Sequence, residues 1–292
     1  MASTPRTGVV SVDRLGQGDL VETFGFLDRD PVLNVYLVAL TLRDALGQPR
    51  DEYWAARRDG QIVALLHLGS RSGAILPVGE DEAALRMLGD QARLRLPLLP
   101  RRFQLVGSRA AVHPFLQRFA RSGLQPRLER LQVYMDLERG ALPRFERLPA
   151  LAPAGREDLP VVYESGARLR AEELEEDPRQ VDPHGYQRRV EEECRDGHTF
   201  LWRGPEGLLF RASVSALTAD AAQISGVYTP PQHRNRGIAR RGLSELCARL
   251  LEQTRSACLF VNQDNLPALA LYHRLQFQVR APWCSLFYDA GR

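Results

Sequence analysis

The sequence predicts a mixed α/β fold with a mostly antiparallel sheet, built twice in tandem. Three observations predict it. Each half shows the same order of apolar segments: strand, helix, three strands, helix, strand, helix and closing strand. In the first half, Tyr53–Arg58 and Gln61–Leu68 alternate around Asp59-Gly60, a hairpin signal that fixes antiparallel pairing. Between Glu138 and Asp158, Gly140, Pro143, Pro149, Pro153 and Gly155 interrupt short apolar stretches, as a domain linker does. A chain of 292 residues is comfortable for two domains, expected at 1–142 and 143–292.

The first half opens with a strand at Val9–Val12 and a helix entered at Gly16-Gln17-Gly18-Asp19-Leu20. The hairpin follows, then a strand at Ala74–Val78 and a helix over Asp81–Leu94. Phe103–Val106, a helix over Ala110–Ser122 and a strand at Leu128–Leu137 complete it. The second half opens with Phe145–Leu151 and a matching entry, Gly155-Arg156-Glu157-Asp158-Leu159. Strands are expected at Phe200–Arg203, Leu208–Ala216 and Ala222–Tyr228. A helix over Ile238–Thr254, strand Ala257–Val261, helix Leu266–Leu275 and final strands through Trp283–Tyr288 close the chain.

Composition excludes several kinds of chemistry. A formal net charge of +3 gives no global field toward nucleic acid or an anionic membrane. No apolar run reaches the roughly 20 residues needed to span a bilayer. Met1 to Val10 shows no signal-peptide pattern, so a cytoplasmic location is expected. Every basic side chain is Arg; a lysine base or Schiff base is excluded, and phosphate contacts fall to Arg or backbone N–H groups. Cys194, Cys247, Cys258 and Cys284 form no C-x-x-C pair, so no metal site or redox dithiol is expected.

The chemistry concentrates after strand Gln223–Tyr228. Thr229-Pro230-Pro231 ends the strand, because proline cannot donate to a ladder. Arg234-Asn235-Arg236-Gly237-Ile238-Ala239 then runs into a helix whose Ala239, Leu243, Leu246 and Leu250 recur at helical spacing. Free N–H groups and the positive end of the helix dipole suit a diphosphate at that turn. Gly237 allows close backbone approach, and Arg234, Arg236 and Arg240 add charge-assisted donors. Downstream, Asn265 reads as an N-cap and Pro267 as a first-turn residue of a helix with Ala268, Leu271, Tyr272 and Leu275 on one face. Where the first half would carry a matching loop stands Gly79-Glu80-Asp81-Glu82, whose acids suit a helix N-terminus but repel a diphosphate.

These residues resemble the GNAT acetyltransferase superfamily. Arg234 to Ala239 matches its Arg/Gln-x-x-Gly-x-Gly/Ala signature. Asn265, Ala268, Leu271-Tyr272, Arg274 and Phe277 match its Asn-x-x-Ala-x-x-Leu-Tyr-x-x-x-Gly-Phe pattern, with Gln276 in place of the glycine. The whole chain resembles two-part bacterial GNAT proteins: tandem GNAT-like domains, the first degenerate and the second carrying the acyl-CoA site.

The resemblance implies acetyl-CoA as co-substrate. Backbone groups of Val227, Tyr228 and Thr229 would meet its pantetheine and polarise the thioester. Arg234, Asn235, Arg236, Gly237, Ile238, Ala239 and Arg240 would hold the pyrophosphate, and Asn265 the pantetheine or phosphate arm. Tyr272 would protonate the departing thiolate, and Glu173, beside Glu172, is the candidate base. The expected activity is N-acetyl transfer to a small-molecule amine or a peptide N-terminus. Two other readings stay open: a non-catalytic acetyl-CoA sensor, and an aminoacyl-tRNA-dependent transferase. No feature of the sequence sets an oligomeric state.

Overall fold

The computed structural model describes residues 8–44, 46–47, 51–70 and 72–291; residues 1–7, part of the stretch searched for a leader, lie outside them. The first half begins with strand β1 (Val10–Arg14) and helices α1 (Leu20–Leu27) and α2 (Val35–Asp44). The hairpin β2 (Asp51–Arg58) and β3 (Gln61–Gly69) follows, then β4 (Ala74–Gly79), α3 (Glu82–Arg95), β5 (Arg102–Ser108), α4 (Arg109–Phe119) and β6 (Leu128–Glu138). Asp59 and Gly60 both take positive φ, 51° and 79°, as a type I′ turn requires. Alternate side chains of the hairpin face opposite layers. Trp54 and Leu66 pack with α3 and α4, whereas Tyr53, Ala55 and Leu65 pack with α1 and α2.

The second half runs through β7 (Leu151–Pro153), α5 (Leu159–Leu174), a one-turn α6 (Pro178–Val181), α7 (Pro183–Arg195), β8 (Thr199–Gly204), β9 (Gly207–Leu217), β10 (Ala221–Tyr228), α8 (Ile238–Gln253), β11 (Ser256–Asn262) and α9 (Leu266–Arg274). The expected strand at Phe145–Leu151 is corrected to β7. Pro143 and Pro149 bar a ladder there, and Arg147 and the Leu148 N–H are instead tied to Glu245 of α8 at 2.8–3.0 Å. The two helix entries do match. The Gly16 N–H donates to Asp19 and the Gly155 N–H to Asp158, each at 2.9 Å.

The chain ends in one long strand, β12 (Gln278–Asp289), rather than several. The molecule has two compact units: Met135–Val279, and the chain up to Tyr134 together with Arg280–Arg292. The boundary thus falls inside β6 rather than at 142/143, and most of β12 goes with the first unit. The reason is the alternation of β12. Cys284, Leu286 and Tyr288 point into the first core, where Tyr288 stacks on Phe103 at 4.9 Å. In the first unit the strand order is β1-β2-β3-β4-β5-β12-β6, and in the second β6-β11-β10-β9-β8-β7. The pairs β4/β5 and β10/β11 are parallel; β1/β2, β2/β3, β3/β4, β5/β12, β7/β8, β8/β9 and β9/β10 are antiparallel. No helix among the described residues is long and apolar enough to cross a membrane, and the four cysteines are buried thiols outside any disulfide.

Candidate functional site

Strand β10 sets the geometry of the second unit. Its pairing with β9 shifts register twice, the second time between Ser225 and Tyr228, where Gly226 takes φ +61°. Such bulges bend a strand and increase its twist. The parallel ladder between β10 and β11 holds only from Ala221 to Gln223, opposite Ser256 to Cys258. Beyond Gln223 the two strands part. The β11-facing edge of β10, through Val227 and Tyr228, then has no strand partner among the described residues. Unpaired backbone on a strand edge can take up an extended ligand chain by strand-like hydrogen bonding.

Past Thr229 and Pro230, a single 3-10 turn at Pro231–His233 leads into the loop. Asn235 (φ +61°) and Gly237 (φ +75°) both adopt the left-handed conformation, and Gly237 is the N-cap of α8. Within α8 the Arg241 N–H bonds the Gly237 carbonyl at 3.0 Å. The N–H groups of Ile238, Ala239 and Arg240 precede that first helical bond, and no side chain caps them. Nothing lies within 4 Å of the point where a Gly237 side chain would begin, so the approach is open. Arg236 and Arg240 are exposed and form no ion pair among the described residues.

Arg234 behaves differently from its neighbours. Its Nε donates to the Thr229 carbonyl at 3.0 Å, and its Nη2 donates to both Glu172 oxygens at 2.7 and 3.0 Å. Its guanidinium lies 5.8 Å from the Tyr228 ring centre. Sequence alone shows none of this, because Glu172 lies 62 residues away at the end of α5.

Asn265 caps α9, its side chain accepting from the Ala268 N–H at 3.2 Å. Tyr272, on the same helix, is only 7% exposed. Burial pushes its phenol above the ordinary range, and the Glu173 carboxylate and Cys247 push the same way, so the hydroxyl keeps its proton. Tyr272 and Glu173, 99 positions apart, thus act on each other electrostatically, although Glu173 itself is exposed. The helix closes in a Schellman motif. The Phe277 N–H bonds the Tyr272 carbonyl and the Gln276 N–H the His273 carbonyl, both at 3.0 Å. Gln276 therefore occupies the left-handed position itself, at φ +70°, and Phe277 packs against Tyr272 with ring centres 5.8 Å apart.

A buried arginine went unread in the sequence. Arg211 of β9, 4% exposed and opposite Tyr228, donates to the Val162 carbonyl at 2.9 Å and to Ser165 and Ser213 at 3.3 Å. It holds α5 down behind the bulge. A Cβ on Gly166 would come within 2.8 Å of its Nη1 and 2.6 Å of the Tyr186 hydroxyl. A glycine in mid-helix, disfavoured by about 1 kcal/mol, was the available signal.

A family model described as FR47-like protein matches residues 207–286, from β9 into β12. No curated protein matches the sequence. Among solved structures, the chain is similar to a tandem GNAT protein from the clavulanic acid biosynthesis pathway: 16% identity, 97% of this chain and 99% of that one covered, TM-score 0.58. The chain has the tandem GNAT fold. A GCN5-related N-acetyltransferase from Sphaerobacter thermophilus is similar over 97% of this chain and 96% of its own, with 16% identity and a TM-score of 0.61. A GNAT-family acetyltransferase from Colwellia psychrerythraea covers 95% and 99%, with 13% identity and a TM-score of 0.55. Both units are included in these matches, so the GNAT frame extends well beyond the segment carrying the loop and Tyr272.

Proposed function

We propose that the second unit binds acetyl-CoA and transfers the acetyl group to an acceptor amine. The observation that carries this reading is the start of α8. Three uncapped N–H groups, two unengaged arginines and open space at Gly237 meet where β10 has parted from β11. That combination fits a diphosphate with an extended chain running back along the strand edge.

Bound acetyl-CoA supplies a thioester, whose acyl carbon an amine attacks as the C–N bond forms and the C–S bond breaks. The unpaired backbone around Val227 to Thr229 supports the carbonyl oxygen as negative charge builds on it. Glu173, directly or through water, takes the proton that the amine loses. Tyr272, kept protonated by burial, gives its proton to the leaving sulfur. Asn265 holds the start of α9 and so the placement of Tyr272. Holding the two reactants together accounts for much of the rate.

Thermal unfolding with acetyl-CoA tests the binding claim. At 100 times the dissociation constant the ligand stabilises by about 2.7 kcal/mol, a rise of roughly 5–10 °C for a domain of this size. Gly237→Glu should abolish the rise by setting a carboxylate where the diphosphate sits. Absence of any rise in the wild type at millimolar acetyl-CoA defeats the reading. Tyr272→Phe should retain the rise yet lower kcat about a hundredfold or more. An unchanged kcat removes Tyr272 from the chemistry.

A further inference from the structure

We propose that Arg234 and Glu172 form an exchangeable latch, and that diphosphate binding frees Glu172 to hold a cationic acceptor. The proposal rests on the acetyl-CoA reading above and adds an acceptor class and a coupling between the two substrates.

The latch joins two parts of the site. Arg234 belongs to the loop before α8, and Glu172 to the last turn of α5, with Glu173 beside it. The pair is bidentate at 2.7 and 3.0 Å, yet both side chains are more than 40% exposed. Exposed ion pairs are weak and are screened by salt. A diphosphate at the α8 N-terminus brings at least two negative charges to the same loop and competes for the guanidinium with charge-assisted bonds. Arg236 and Arg240 are already free to bind it, so Arg234 is the one arginine of the loop whose recruitment changes another part of the molecule.

Release leaves Glu172 without its partner in a place built for a cation. The Tyr228 ring lies under Arg234, in position to face another cation once the guanidinium has moved. The Tyr228 hydroxyl is buried beside Arg168, and the Glu172 charge bears on it. An aromatic face and a carboxylate together fit an ammonium group. An acceptor with a second ammonium fits best: one nitrogen stays charged against Glu172 while the other loses its proton and attacks. The two substrates then bind with positive coupling, and the coupling acts equally in both directions.

Calorimetric titration with CoA, at low salt, tests this in wild type, Glu172→Gln and Glu173→Gln. Removing Glu172 frees Arg234 at no cost to the ligand, so CoA should bind about two- to fivefold more tightly. The gain should fade near 0.5 M salt, where the Debye length falls to about 4 Å. Glu173→Gln removes the same charge without opening the latch and should give a smaller gain. In wild type, putrescine should tighten CoA by a similar factor, propylamine should not, and Glu172→Gln should lose the putrescine effect. Equal CoA affinity in wild type and Glu172→Gln, or equal gains from both variants, overturns the latch alone. Absence of CoA binding in every variant overturns the acetyl-CoA reading and the latch with it.

Discussion

Replacing Gln276 by glycine should stabilise the protein by about 0.5–1 kcal/mol without changing its chemistry. Gln276 closes α9 at φ +70°, where an L-residue is strained by roughly 1–2 kcal/mol. Glycine relieves that strain, but its freer unfolded chain offsets about 0.5–1 kcal/mol of the gain. No side-chain hydrogen bond is lost among the described residues: Gln276 is exposed, and the Gln278 amide donates at 3.3 Å to its backbone carbonyl. The Schellman bonds from the Gln276 and Phe277 N–H groups are kept. Urea unfolding should show a higher midpoint with an unchanged slope. Gln276→Val, β-branched at the same backbone angles, should move the midpoint the other way. A lower midpoint for the glycine variant would refute the closure described here, because it would mean the glutamine side chain contributes more than its backbone strain costs.

Three other outcomes follow from named contacts. Hydrogen bonds from Arg147 chiefly, with the Leu148 N–H and Arg249, outweigh burial and hold the Glu245 carboxyl at about 2. A depressed carboxyl stabilises the fold above its unfolded value and loses that contribution as pH falls, so about 3 kcal/mol should disappear between roughly pH 4.5 and 2. Unfolding midpoints of wild type and Glu245→Gln should converge over that window. Arg236→Ala and Arg240→Ala should each weaken CoA binding several-fold with a reduced salt dependence, measured by calorimetry, because both are exposed, form no ion pair among the described residues and flank the proposed diphosphate position. Tyr288→Ala should destabilise by about 3–5 kcal/mol, since Tyr288 stacks on Phe103 and meets Phe119 edge-on in the first core; denaturant unfolding measures it.

What could be read from the sequence was local. The loop at Arg234–Ala239 needs a left-handed glycine and free N–H groups at a helix start, and both follow from neighbouring residues. The Asp59-Gly60 hairpin and the paired entries at Gly16 and Gly155 are local for the same reason. What escaped depends on pairing at a distance. The alternation of Cys284, Leu286 and Tyr288 marks a strand but not the sheet it joins, and β12 joins the first unit. Leu148 and Leu151 made 145–151 look like a strand, whereas the buried Glu245 holds that stretch in another conformation. The motif gives the loop position of Arg234, but not that in this structure its side chain bonds a glutamate from another helix. A motif fixes backbone more firmly than it fixes where a long side chain goes.

The first unit carries the same layout with its helix start already satisfied, and this sets the expected stoichiometry. Asp81 caps α3, one oxygen accepting from the Ala84 N–H at 3.0 Å and the other from Arg58 at 2.8 and 3.0 Å. Burial pushes its carboxyl up, but the Ala84 N–H and Arg58 together hold it below the usual range, so it stays charged at neutral pH. An incoming phosphate would meet that charge with Glu80 and Glu82 on either side. The strands also fail to open. Though the β4/β5 ladder is short, a Cβ on Gly107 would lie 3.2 Å from the Pro77 carbonyl, so the two backbones remain in contact. Calorimetry should therefore give one CoA per chain. Asp81→Ala should lose about 1–2 kcal/mol of stability as an uncapped helix does and should not add a second site. Two CoA molecules per wild-type chain would show that an occupied helix cap is no barrier to a diphosphate, and would remove the physical basis for assigning the cofactor to the second unit alone.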